Sequence, residues 1–279
     1  MISERDSEYV TEHAYVPEHV VDYVTAISEA EPFLLGDFVV YVKKKHLIFV
    51  GYPLSETFGD TKMKKVLDEV VDRFKPDDIA LTGPAIPDSI AGHERVETDR
   101  YYTLDLLDLS IPQKVRNMLS RARQEVAVTR SRGFGQEHRQ LIEDFLKSHP
   151  VGEGTRSIFS RIDRYLSVSK TAWIYEARSG EGVLVAFDVA DFWSRHYGLY
   201  MFNFRSSACS VPGVSDLLLC EVIQHALAEG KRAVNLGLGI NPGVAFFKEK
   251  WGGKPFLPYA FVEYARAGQV QLDTLLQKL

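Results

Sequence analysis

Three consecutive β-rich runs constrain this chain more than any other feature: Thr171 to Ala177, Gly182 to Ala190 and His196 to Phe204. The first two are joined by Arg178-Ser-Gly-Glu-Gly, a composition suited to a hairpin reversal. Val183, Val185, Phe187 and Val189 alternate along the second run, the mark of a strand with one buried face. Three such runs in sequence predict an antiparallel sheet. The pattern then changes. Ser210-Val-Pro-Gly-Val-Ser-Asp leads into an expected helix from Leu217 to Glu229, stopped by Gly230. Ala233-Val-Asn-Leu-Gly-Leu-Gly reads as a strand, and Val244 to Trp251 as a helix ending at Gly252-Gly253. Phe256 to Tyr264 reads as a further strand, followed by a short C-terminal amphipathic helix.

The region before this block has its own α/β pattern. Phe38-Val-Val-Tyr-Val and His46-Leu-Ile-Phe-Val predict a hairpin turning at Lys43, Lys44 and Lys45. Met63, Val66, Leu67, Val70, Val71 and Phe74 form a helical stripe stopped by Lys75-Pro76. Ile79-Ala-Leu-Thr-Gly and Arg100-Tyr-Tyr-Thr-Leu-Asp-Leu predict two more strands, with a loop at Pro84 and Pro87 between them. Ile111-Pro112 then opens a helix striped by Val115, Met118, Leu119, Ala122 and Val126. Glu125-Val-Ala-Val-Thr reads as a short strand, and helices are expected over 136–148 and 155–168.

A length of 279 residues admits one large domain or two modest ones. The pass along the chain divides it at about 1–109 and 110–279. A hydrophobic fraction of 45% excludes a disordered chain. The net charge of -5 excludes a generally basic nucleic-acid binder. The average conceals two extremes. Glu4, Asp6, Glu8, Glu12, Glu18, Asp22, Glu29 and Glu31 make the start acidic, read as a solvated face or frayed start. Lys114, Arg116, Arg121 and Arg123, followed by Arg130 and Arg132, form the one basic cluster, read equally as a solvated face or an anion site. The two cysteines, Cys209 and Cys220, fit neither a disulfide framework nor a zinc pattern. No histidines pair at ligand spacing, so no metal site is expected. With no apolar leader and no membrane-length run, a cytoplasmic location is expected.

Two junctions could carry chemistry. Ser215 can cap the helix that follows the third strand, with Asp216 in its first turn. The amides of such a helix start can hold a phosphate, although most capped starts bind nothing. Gly237 and Gly239 could let a ligand approach the next strand closely. The plainer reading is a turn before an aromatic helix packed on a sheet.

Together, the order of elements resembles the GNAT acyl-CoA N-acyltransferase superfamily. Asn241, Ala245, Phe246-Phe247, Lys250 and Gly252 look like that family's Asn, Ala, aromatic, Lys and Gly pattern. Lys114-Val-Arg-Asn, Arg121-Ala-Arg and Phe247-Lys-Glu-Lys-Trp-Gly-Gly are similar to the Fem-type branch with two tandem GNAT-like domains. The resemblance implies an α/β protein of the α+β type. It also implies two tandem domains, each a mixed, mostly antiparallel sheet flanked by helices, the first domain degenerate.

The resemblance also implies acyl transfer from acyl-CoA or acetyl-CoA to a small-molecule or peptide amine. The amides of Val214, Ser215, Asp216 and Leu217 would hold the pyrophosphate, and Gly213 would allow the tight backbone path before them. Asn235, Gly237, Gly239, Asn241, Phe247 and Lys248 would line the pantetheine groove. Arg121 and Arg123 would meet a phosphate of CoA or of a tRNA end. The loop at 211–215 carries one glycine and no basic lead residue. The family's proton-donating Tyr falls on Phe247 or Lys248.

Asp188, inside an apolar strand, would approach a useful base if buried; the slightly favoured reading is an edge or hydrogen-bonded structural Asp. Glu176 is a second base candidate, and Tyr200 and Asn203 lie on the strand expected to face the thioester. The rival functions are a Fem-like transferase using aminoacyl-tRNA and a non-catalytic module that keeps the fold.

Overall fold

The computed structural model describes residues 2–55, 57–91 and 96–265; the expected C-terminal amphipathic helix lies outside these. The chain opens with α1 (Glu4–His13), a 3-10 turn (Pro17–His19) and α2 (Val21–Ser28). Then come β1 (Glu31–Leu35), β2 (Phe38–Lys43), β3 (His46–Val50), α3 (Asp60–Phe74), β4 (Asp78–Gly83), α4 (Asp88–Ala91) and β5 (Glu97–Asp105). The second half has α5 (Gln113–Glu125), β6 (Val126–Ser131), α6 (Gln136–Ser148), α7 (Glu153–Ser160) and α8 (Ile162–Val168). It continues through β7 (Ala172–Ser179), β8 (Leu184–Asp191), β9 (Tyr197–Arg205), α9 (Val214–Ala228), β10 (Ala233–Leu238), α10 (Pro242–Glu249) and β11 (Lys254–Ala265).

All strands join one 11-stranded sheet in the order β1-β2-β3-β4-β11-β5-β10-β9-β8-β7-β6. Its two parallel pairs are β3 with β4 and β9 with β10, and the other neighbours are antiparallel. Each pair is bridged by a helix, α3 or α9. The topology therefore repeats. β1 to β5 and β7 to β11 each run as three antiparallel strands, a helix, a parallel strand, a short helix and a last strand. The last strands are exchanged: β11 pairs with β4, and β5 pairs with β10. At the centre β5 and β11 pair with each other. The connection near residue 109 thus joins halves that share one sheet.

Local chemistry explains most elements. Met63, Val66, Leu67 and Val70 are the buried stripe of α3, each worth roughly 1.5–3 kcal/mol against exposure. β8 is buried along its whole length, as a strand covered on both faces must be. α5 and α9 pack on one face, around Leu119, Leu218 and Val222. α6 and α8 cover the other, around Ile142 and Tyr165.

Several expectations are corrected. The acidic start is not frayed. Ser3 and Asp6 form a reciprocal capping box on α1, and Val10 is buried. β1 was hidden by Pro32, which an edge strand tolerates. The helix expected over 155–168 breaks at Arg161, whose φ of -116° and ψ of 10° leave the helical region. α9 begins at Val214, and its cap residue is Gly213, not Ser215. Among the described residues, no helix is long and apolar enough to cross a membrane.

Candidate functional site

The parallel pairing of β9 and β10 ends early. It runs from Ala233 opposite Tyr197 to Asn235 opposite Leu199, and then the two strands part. The cause is a bulge in β10 between Asn235 and Gly237, where the pairing with β5 also shifts. Gly237 has φ of 78°, which glycine adopts at little cost. Asn235 fixes the bulge. Its Oδ1 accepts from the Gly237 amide at 2.8 Å, and its Nδ2 donates to the Tyr15 carbonyl at 2.8 Å. Asn235 is thus spent on positioning and has little left for a ligand. In the first half, the parallel pair stays closed. A Cβ on Gly83 would lie 3.3 Å from the Gly51 Cα.

Lys248 fills the opening. It projects from α10, is 3% exposed and donates to the Leu238 carbonyl. A Cβ on Gly237 would lie 3.6 Å from its Nζ and 3.5 Å from the Tyr200 carbonyl. Burial pushes the amine down to about 7, partly opposed by Asp99. Both protonation states are therefore populated near neutrality. Asp99 also holds the loop beyond β10, accepting from the Ile240 amide at 2.7 Å. Ile240 itself has φ of 58°, a strained conformation for a β-branched residue. Asn241 caps α10 by accepting from the Val244 amide at 3.0 Å, and Phe247 is half-buried beneath Lys250.

The start of α9 is crowded. A Cβ on Gly213 would lie 3.0 Å from the Met118 carbonyl oxygen and 3.2 Å from its Cβ. The Val214 amide bonds the Val211 carbonyl, and the Leu217 amide bonds that of Gly213. Only Ser215 and Asp216 offer the first-turn amides that a helix leaves open. The expected four-residue cradle is thereby halved. Gly213→Ala should lower stability by about 2 kcal/mol, from left-handed strain and the Met118 contact. Urea denaturation measures this, and a change below about 0.5 kcal/mol would refute the packing argument.

Asp188, Tyr200, Asn203 and Ser215 meet beneath this helix start. Asn203 donates to Asp188 Oδ1, and Ser215 Oγ lies 3.4 Å from Asn203 Oδ1. Burial pushes the Asp188 carboxyl up to about 7, opposed by the Asn203 amide and the Tyr200 hydroxyl. Its Oδ2 and the Tyr200 Oη lack a hydrogen bond of normal geometry among the described residues. Glu176 does not join them. It lies opposite Phe187, on the other face of β7, and binds Ser131 and Arg178. Asp216 is held by Lys250 and by the Trp251 indole.

The basic cluster also divides. At roughly 100° per residue, Lys114 and Arg121 fall on one flank of α5, and Arg116 and Arg123 on another roughly 160° away. Arg116 is folded back on Gln113 and Ile111, and Arg123 leans toward Glu221 at 3.9 Å. Arg130 and Arg132 instead flank Trp173 of β7, next to the edge strand β6, 4.6 and 4.2 Å from its ring centre. Among the described residues, no three metal-ligating side chains gather.

Protein-family models and curated proteins give no match to the sequence. Solved structures do. The chain is similar to the C-terminal domain of a putative lysylphosphatidylglycerol synthetase from Agrobacterium fabrum, with TM-score 0.60 and 14% identity over 92% of this chain and 91% of that one. It is similar to FemX, with TM-score 0.62 and 9% identity over 94% and 96% of the two chains. A tandem GNAT protein from the clavulanic acid biosynthesis pathway matches with TM-score 0.53 and 12% identity over 95% and 94%. The chain thus shares its fold with FemX and with the tandem GNAT protein.

Proposed function

We propose that the chain is an acyltransferase that passes an acyl group to a primary amine in the opening between β9 and β10. The observation that carries this reading is Lys248, an enclosed amine poised near 7 where β9 and β10 part. As the acceptor nitrogen attacks the acyl carbon, neutral Lys248 takes its proton. The resulting ammonium returns that proton to the leaving atom as the old ester or thioester bond breaks, which matches the ideal of a catalytic group titrating near working pH. Lys248 thus replaces Asp188 and Glu176 as the proton-transfer group. The segments 1–109 and 110–279 act as tandem domains that exchange their last strands, the first degenerate because its strand pair stays closed.

Two donors fit the chemistry: an acyl-CoA thioester and the ester of an aminoacyl-tRNA. The crowded α9 start favours the ester. A diphosphate needs several free amides at a helix start, and here two remain beside the Asp216 carboxylate. Lys248 also occupies the space a pantetheine arm would need. Arg130 and Arg132, held against Trp173, offer cations to nucleic acid.

The test offers the protein labelled aminoacyl-tRNA or labelled acetyl-CoA, each with a panel of primary amines. Amide product from the tRNA ester, with no thermal shift on saturating acetyl-CoA, is expected. A shift with acetyl transfer would select the thioester. No amide from either donor would overturn the enzyme reading and leave a non-catalytic module.

A further inference from the structure

The 11-stranded sheet ends at two edges, β1 and β6, and the two differ. β1 carries Pro32, which withholds an amide from any further strand. β6 has no proline, and its register with β7 runs unbroken from Val126 opposite Ser179 to Ser131 opposite Ile174. An antiparallel strand turns the backbone groups of alternate residues away from its partner. Among the described residues, the outward groups at 127–131 bond no other strand and no loop. An open edge of this kind is a template for another chain.

A cavity of about 300 Å³ opens beside this edge, between β6 and α9. Val128 and Arg130 line one wall, Ala228 in the last turn of α9 lines another, and the buried Tyr175 and His225 complete it. The Tyr175 hydroxyl is spent on the His225 ring. Val128, Arg130 and Arg132 share one side of the strand and its continuation. Both arginines lie against Trp173. Among the described residues, no carboxylate pairs with either one, and Arg132 donates to the Ser169 and Lys170 carbonyls. The acid that lines the cavity, Glu221, has Arg123 at 3.9 Å.

We infer that the β6 edge receives an extended peptide, added as a further strand, with one carboxylate side chain on Arg130 and a side chain two residues away in the cavity. Strand addition draws affinity from main-chain hydrogen bonds and specificity from side-chain pockets. The open edge, the cavity and the unpaired cation coincide at β6. A second copy of the chain would bring its own Arg130 to this edge, like charge to like. A nucleic-acid phosphate would suit the cations but use neither the open backbone nor the cavity. β6 lies four strands from β10, about 19 Å away at the usual strand spacing. The peptide is therefore a docking partner and not the acyl acceptor, and the inference does not rest on the acyl-transfer reading.

The probes are acetyl-Thr-Asp-Thr-Leu-Thr-amide and acetyl-Thr-Leu-Thr-Asp-Thr-amide, which set a carboxylate and an apolar side chain on one face in either strand direction. Backbone NMR of the whole chain reads the addition. At saturation, one of the two should slow hydrogen exchange of the outward β6 amides about tenfold. Exchanging its Asp for Lys should weaken binding about tenfold, and so should Arg130→Gln, through loss of a charged hydrogen bond. Ala228→Trp fills the cavity from an exposed position on α9 and should weaken the same peptide. If neither peptide protects the β6 amides, or if the Asp and Lys peptides bind equally, the inference is overturned. Protection that grows with protein concentration alone, with a doubled mass in sedimentation, would give the edge to a second copy and overturn it as well. Unacylated tRNA that weakens on Arg130→Gln while neither peptide binds would give the cations to nucleic acid, with the same result. Binding is read without turnover, so a peptide that docks on a protein forming no amide refutes the proposed activity and leaves the docking site standing.

Discussion

Lys248→Met should slow acyl transfer at least 100-fold while leaving the folded protein more stable at pH 6. The rate follows from removing the group that takes and returns the proton, a role worth 10²–10⁴-fold in enzymes generally. The stability follows from linkage. Burial lowers the amine from 10.5 to about 7, so between these values the unfolded chain binds the proton and the folded one does not. Wild-type stability therefore rises with pH from about 7 toward 10.5. Below 7 the full cost of a buried ammonium is present, roughly 5 kcal/mol at most. Methionine removes that cost but leaves the Leu238 carbonyl unpaired, which costs about 1–3 kcal/mol. The net gain at pH 6 is then about 2–4 kcal/mol at most, and by pH 10 it has reversed, because the cost of the unpaired carbonyl does not depend on pH. Single-turnover rates and urea denaturation at pH 6, 8 and 10 measure both effects. The wild-type rate should also rise through an inflection near pH 7 that the variant lacks. A variant that keeps this inflection and its rate would exclude Lys248 from proton transfer.

Much of this arrangement was legible in the residues. The alternation at Val183, Val185, Phe187 and Val189 and the α3 stripe reflect local periodicity, which burial imposes directly. The order of elements in the second half carried the resemblance to the GNAT fold. What escaped was non-local. Nothing in Lys254–Ala265 announces that this strand crosses to β4, because strand partners are chosen by long-range packing and not by period. Lys248 sits beside Glu249 and Lys250 as one of two similar cations. Only the parting of β9 and β10 sends one inward, while Lys250 turns to Asp216. Ser215 does not announce its place, because Ser and Asp at a helix start suit both the cap and the first turn. Gly213 took the cap because the close approach of Met118 leaves no room for a Cβ.

Asp216→Ala should cost about 3 kcal/mol of folding stability and disable transfer without touching the reacting atoms. Asp216 is 3% exposed and accepts from Lys250 Nζ at 2.7 Å and from Trp251 Nε1 at 2.8 Å. Trp251 is fully enclosed, so its N–H would be left without a partner, at about 1–3 kcal/mol. Breaking a buried ion pair costs about 3–5 kcal/mol when one charge is stranded. The Lys250 side chain is 27% exposed and can turn to water, which brings the expected total toward the lower figure. Asp216→Asn keeps an acceptor for the indole and should cost about half as much. A double change to Asp216→Leu with Lys250→Met removes both charges and should recover part of the loss, since a stranded charge costs more than an absent pair. The functional consequence follows from position. Asp216 ties the first turn of α9 to the end of α10, and α10 carries Lys248. Loosening that tie lets the amine leave the opening, so the rate should fall and the pH inflection should move back toward an ordinary lysine. A stability change under 1 kcal/mol for Asp216→Ala in urea denaturation, or an unmoved inflection, would show that α10 is held in place by its apolar contacts alone.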